Sequence, residues 1–199
     1  MKASIDESVP EIRGGIAYVV AAALVIAPVD DAREALRKVI AGPDRKRPFH
    51  WHAEGSEAKA RMVDCLADLG AVAHIAVHHP TGRKKTEAAR QQCLHAIVPL
   101  AVRDGAEELI IESRDKISDR RDRKVVLDLL RELAAPGAIS YSHAPKTEPL
   151  LWPADAVCGA VRAFLIGDDT RYYEQLRHIG VISEPIYLNE NAKTNALNA

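Results

Sequence analysis

"GGIAYVVAAALVIAPVDDAREALRKVIAGPD", residues 14–44, changes its hydrophobic period partway along. From Ile16 the residues are continuously apolar and rich in β-branched side chains, the pattern of a strand covered on both faces. Beyond Asp30 and Asp31 the apolar residues become Ala32, Ala35, Leu36, Val39 and Ile40, which recur at helical spacing up to Gly42-Pro43 and predict an Asp-capped helix. The preceding "KASIDES" (residues 2–8) is strand-like and is separated from the run by a short glycine-containing turn. A β-hairpin with a helix behind it is therefore expected at the start of the chain.

Further along, strand and helix patterns alternate. "RPFHWHAEGS" (47–56) reads as a short extended piece ending in Ser56, a cap for a helix through Met62, Val63, Leu66 and Leu69 that Gly70 closes. Strands are expected at "AVAHIAVHH" (71–79), "ELIIES" (108–113) and "AISYS" (138–142), with helices near 84–104 and 118–134 and a further helix through "LLWPADAVCGAVRAFLIG". A final helix follows Asp168-Asp169, with Tyr172, Tyr173, Leu176 and Ile179 on one side. Strands joined by crossover helices are parallel, so the fold class is α/β, a mixed sheet made of an antiparallel hairpin plus parallel strands, flanked by helices. A length of 199 residues suits one domain, taken as 1–184, and the apolar-poor segment 185–199 is expected to fray or dock on a partner.

Composition narrows the function classes. Lys and Arg (27) nearly balance Asp and Glu (28), so the chain carries no global basic field for nucleic acid. Cys65, Cys93 and Cys158 are widely spaced and odd in number, which suits reduced thiols in the cytoplasm and not a disulfide framework. No charged-then-apolar leader is evident, and the apolar run 16–29 is shorter than a membrane span, so a cytoplasmic protein without membrane partners is expected. The absence of G-x-x-x-x-G-K-[ST], G-x-G-x-x-G and G-x-S-x-G argues against a P-loop NTPase, a dinucleotide enzyme or a serine hydrolase.

Three acids remain as candidates for chemistry. Glu112 falls at the C-terminal end of a parallel strand, the sheet edge where open α/β sheets bind ligands. Asp6 falls toward the same end of the first strand. Pro153 lacks an N–H and fits only the first turn of a helix, which puts Asp155 in the first or second turn of a helix starting at that edge. Three carboxylates meeting there repel unless a cation lies between them, and oxygen-only ligation suits Mg²⁺ or Mn²⁺. Each acid also has a structural reading: Asp6 as a turn cap, Glu112 as a partner of Arg114, and Asp155 as a first-turn acid favoured by the helix dipole.

"IDES" in the first strand, "LIIES" closing a later one and the terminal "PLLWPADAVCGAV" together resemble the bacterial and phage proteins of domain-of-unknown-function family 3800, which have an RNase H-like fold. The resemblance spans Ala3 to Tyr173. It implies an RNase H-like sheet and a divalent-metal nuclease site, with Asp6, Glu112 and Asp155 as catalytic metal ligands and an RNA or DNA phosphodiester as substrate. Val9 stands where the family often has glycine, Glu112 where Asp is commoner, and a fourth acid could be Glu7, Asp115, Asp119 or Asp122.

The charged run "SRDKISDRRDRK" (113–124) reads either as a solvated, ion-paired helix start or as a phosphate-binding patch of Arg114, Arg120, Arg121 and Lys124. "HHPTGRKK" adds Arg83, Lys84 and Lys85 near the same edge. His78 and His79 could contact substrate there. His50 and His52, alternate residues of an extended piece, would bind zinc only with a third ligand. With few aromatic residues, nucleic-acid recognition would rest on the backbone and on shape. The competing reading is a non-catalytic binding or regulatory protein of the same fold.

Overall fold

The computed structural model describes residues 1–13, 15–40, 47–81, 86–133 and 138–189. The apolar run forms the longest strand, β3 (Gly15–Val25), paired antiparallel with β1 (Lys2–Ser8) and supplemented by β2 (Glu11–Ile12). The other side of β3 pairs antiparallel with β4 (Val72–Thr81). On the other side of β1 lie β5 (Glu108–Glu112) and β6 (Ser140–Ala144), both parallel, and β7 (Ile186–Leu188) adds in parallel to β4. The order is β6-β5-β1-β3-β4-β7, an α/β mixed sheet consistent with the RNase H-like arrangement. Ile186 to Leu188 were expected in a fraying tail. The hydrogen bonds of an otherwise open sheet edge give them a place to pair.

Alternation along β3 explains its uniform hydrophobicity. Ala17, Val19, Ala21 and Ala23 face one core, and Tyr18, Val20, Ala22 and Leu24 face the other. The first core is covered by α1 (Val29–Val39), α2 (Ser56–Asp68), α5 (Trp152–Ile166) and α6 (Arg171–His178). The second is covered by α3 (Thr86–Arg103) and α4 (Lys116–Glu132).

Helix starts differ in detail from expectation. Pro28 is the N-cap of α1, with Asp30 and Asp31 already inside the first turn, and Ser56 is the first residue of α2 with Gly55 before it. Acids inside a first turn still gain from the helix dipole without acting as caps. Gly70 does end α2, at a left-handed φ of 61° that glycine adopts without steric cost. Pro149–Ile166 is long and apolar enough to cross a membrane by composition, but 72% of it is buried inside the molecule as core helix.

Candidate acidic site

Pairing places Asp6 and Glu112 together. β1 and β5 run parallel with Ile5 opposite Ile111, so the next residues on both strands, Asp6 and Glu112, stand side by side on the α5 face of the sheet. Pro153 occupies the first turn of α5, as its missing N–H requires, and Asp155 follows in that turn. These three acids line one cleft of about 290 Å³ at the C-terminal edge of β1 and β5. The cleft is also lined by His50, His52, Lys146 and Arg114.

Asp6 is 7% exposed. Burial holds its pKa well above the usual carboxylate value, and the charges of Asp155 and Glu112 raise it further, with Lys146 and Arg90 opposing. Its Oδ1 accepts from the Glu7 N–H at 2.7 Å. Glu112 pairs with Lys146, whose Nζ lies 3.4 Å from Oε1, and not with Arg114. The Lys146 main chain is fixed in turn, because its carbonyl accepts from Trp152 Nε1 at 3.2 Å.

Asp155 is the best anchored of the three. Its Oδ2 accepts the Trp51 N–H at 2.8 Å, and its Oδ1 lies 3.1 Å from His50 Nδ1. One turn on, a Cβ at Gly159 would fall 2.2 Å from Trp51 Cγ, so only glycine lets the Trp51 ring lie on α5. A further turn on, Arg162 Nη1 lies 3.1 Å from His52 Nδ1. Asp155, Gly159 and Arg162 thus form one i, i+4, i+7 row that docks the Phe49–Ala53 segment against the cleft. Trp51–Ala53 is a 3-10 turn where an extended piece was expected, because the ring and the main chain must turn together to reach this row.

The other expected substrate contacts fall elsewhere. Arg120, Arg121 and Lys124 are exposed on α4, which covers the opposite face of the sheet, and Arg121 and Lys124 border a groove with Glu87, Gln91 and Asp128 of α3 and α4. The charged run turns into helix at Lys116, capped by Asp115, and α4 then packs Val126, Leu129 and Leu130 inward, pointing its basic residues away from the cleft. His78 pairs with Tyr18 on that same opposite face and is buried. Neither His78 nor His79 lines the cleft, because β3 separates β4 from β1, a displacement of two strand spacings or about 10 Å. Lys84, with Arg83 and Lys85, lies outside the described residues.

Of the fourth-acid candidates, only Glu7 touches the cleft. It faces the α3 side, where it pairs with Arg90 and lies 3.8 Å from Arg114. Asp122 is fully buried between Arg90, at 2.9 and 2.8 Å, and Arg114, at 3.1 Å. Asp115 caps α4 through the N–H groups of Ile117 and Ser118, and Asp119 accepts from Ser113 and the Arg114 N–H.

Cys158 borders the cleft as a buried thiol. Burial pushes its thiol pKa well up, the charges of Asp6 and Asp155 push it further, and its Sγ donates to the Asp6 carbonyl at 3.2 Å.

Lys146, Gly159, Arg162 and the role of His50 and His52 were not read from the sequence as parts of one site. The available signal was a glycine inside an otherwise apolar helix pattern, which marks close approach of another segment. No family model and no curated protein matches the chain.

Proposed function

We propose that the chain is a divalent-metal-dependent phosphodiesterase acting on nucleic acid, RNA or DNA, as the family 3800 resemblance implies. The observation that carries this reading is the convergence of Asp6, Glu112 and Asp155, from three distant segments, on one cleft where Lys146 is the only Lys or Arg paired with any of them among the described residues. Holding three carboxylates together, Asp6 and Asp155 buried and Glu112 partly so, against so little opposing charge costs stability unless a cation joins them.

The donor set is all oxygen, which fits Mg²⁺ or Mn²⁺. Among the described residues no three His, Cys, Asp or Glu side chains already close on one point. Mg²⁺ does not need such a cage, since it keeps several waters and commonly takes one or two carboxylates plus substrate phosphate. Asp6 and Glu112 would supply those carboxylates. Asp155 completes the set, because a carboxylate with two hydrogen bonds retains lone pairs. A bound ion supplies positive charge at the phosphoryl oxygens and activation of water for in-line attack. Lys146 neutralises Glu112 without the ion. Asp155 holds His50 at the cleft wall. A cytoplasmic location belongs to the same reading, since Cys65, Cys93 and Cys158 are free thiols.

The non-catalytic reading draws on one observation: both Asp155 oxygens serve the Phe49–Ala53 segment and Glu112 already has Lys146. Labelled single-stranded, duplex and hybrid oligonucleotides, incubated with Mg²⁺ or Mn²⁺, separate the two readings. Cleavage abolished by chelation and lowered by orders of magnitude in Asp6→Asn, Glu112→Gln and Asp155→Asn supports the phosphodiesterase. No cleavage of any substrate supports the binding protein.

A further inference from the structure

Two cations on the α5 face, Arg162 and Lys59, are held differently from Arg90 and Arg114 on the α3 and α4 face. Arg90 and Arg114 are spent on carboxylates, those of Glu7, Glu87 and Asp122. Arg162 instead donates to the His52 ring, and Lys59 places its Nζ 5.2 Å from the centre of the Trp51 ring. Among the described residues neither Arg162 nor Lys59 has a carboxylate within salt-bridge distance, although Asp169 lies within electrostatic reach of Lys59. Burial and the nearby Arg162 charge lower the His52 pKa.

Position joins these groups to the cleft. His52 lines it, and Trp51, on which Lys59 rests, lies over Gly159 on α5. Arg162 lies seven residues beyond Asp155, a rise of about 10.5 Å along the helix. A polyanion approaching three carboxylates is repelled unless cations flank its path. Trp51 is 2% exposed and offers no free ring for a base, so contact here is with the backbone.

We propose that Arg162 and Lys59 form a phosphate-binding track beside His52 that leads one nucleic-acid strand into the acidic cleft. The track rests on the phosphodiesterase reading for its direction, and it replaces α4 as the phosphate-binding surface. Binding along it is independent of sequence.

The test is fluorescence anisotropy of a labelled oligothymidylate with the full chain, in chelator, at a series of NaCl concentrations. Arg162→Ala and Lys59→Ala are each expected to weaken binding several-fold and to reduce the slope of log K against log salt by about 0.7, the value for one single-strand phosphate contact. Arg162→Lys, which keeps the charge, should retain most of the affinity. Arg120→Ala and Lys124→Ala on the opposite face should change neither affinity nor slope. Unchanged binding in both Arg162→Ala and Lys59→Ala, an equal loss in the α4 variants, or no binding by the wild type would overturn the track. A wild type that binds through Arg162 and Lys59 but cleaves nothing with Mg²⁺ or Mn²⁺ would sink the phosphodiesterase and leave the track standing.

Discussion

Asp6 and Glu7 are neighbours on one strand and have opposite surroundings. Asp6 faces α5, where Glu112 and Asp155 raise its pKa and Lys146 opposes them. Glu7 faces α3 and α4, where Arg90 and Arg114 meet it and Asp122 shares the same two arginines. On one face Lys146 on Glu112 is the only Lys or Arg ion pair of the three acids among the described residues; on the other, Glu7, Glu87 and Asp122 share Arg90 and Arg114. The difference teaches that a carboxylate's role is set by the charge its neighbours leave uncompensated. The α3 and α4 face is an arginine–carboxylate network, whereas on the α5 face Asp6 has no Lys or Arg within salt-bridge distance among the described residues.

Removing an acid that holds a buried partner should therefore destabilise the fold, whereas neutralising the unpaired Asp6 should not. Asp122→Ala would strip Arg90, which is fully buried, of its bidentate partner. Its expected cost is the largest, about 3–5 kcal/mol, read from urea unfolding. Gly159→Ala should cost about 1–3 kcal/mol, because the added methyl meets the Trp51 ring, and tryptophan fluorescence should report the displaced ring. Asp155→Ala leaves the buried Trp51 N–H without its acceptor, an expected loss of about 1–3 kcal/mol. Asp155→Asn keeps an acceptor oxygen and should lose much less. If Asp155→Ala were as stable as wild type, the docking of the Phe49–Ala53 segment would not depend on that hydrogen bond.

Asp6→Asn is the smallest effect and has the opposite sign: the metal-free variant should unfold at a higher temperature than wild type at neutral pH. The native pKa of Asp6 is raised above its unfolded value. The stability linked to its protonation is fully present below about pH 4 and is lost as pH rises through the raised native value. The advantage of Asp6→Asn should accordingly shrink as pH falls through that window. Thermal melts of both proteins across pH check this, and a variant less stable than wild type at pH 7 would mark Asp6 as a structural acceptor.

Much of this arrangement was legible in the sequence because it depends on local rules. The continuous apolar run could only be a strand covered on both faces, and Pro153 could only sit in a first helical turn, so the edge shared by Asp6, Glu112 and Asp155 followed from chain order. Arg114 lines the cleft, but the later basic residues fall elsewhere because a charged run does not show which face of its helix is buried. Val126, Leu129 and Leu130 decide that, and they turn Arg120, Arg121 and Lys124 away from the cleft. The pairings of Asp155 with Trp51 and of Arg162 with His52 join residues more than 100 positions apart, and no local period encodes them.

The most direct measurement is thermal unfolding of wild type, Asp6→Asn and Glu7→Gln with and without Mn²⁺. An ion that binds only the folded state raises the unfolding temperature by mass action. Mn²⁺ should raise it for wild type and for Glu7→Gln, whose side chain borders the cleft but pairs with Arg90 on the α3 side, and should leave Asp6→Asn unmoved. No Mn²⁺ shift in wild type, or an undiminished shift in Asp6→Asn, would contradict a cation site on the α5 face.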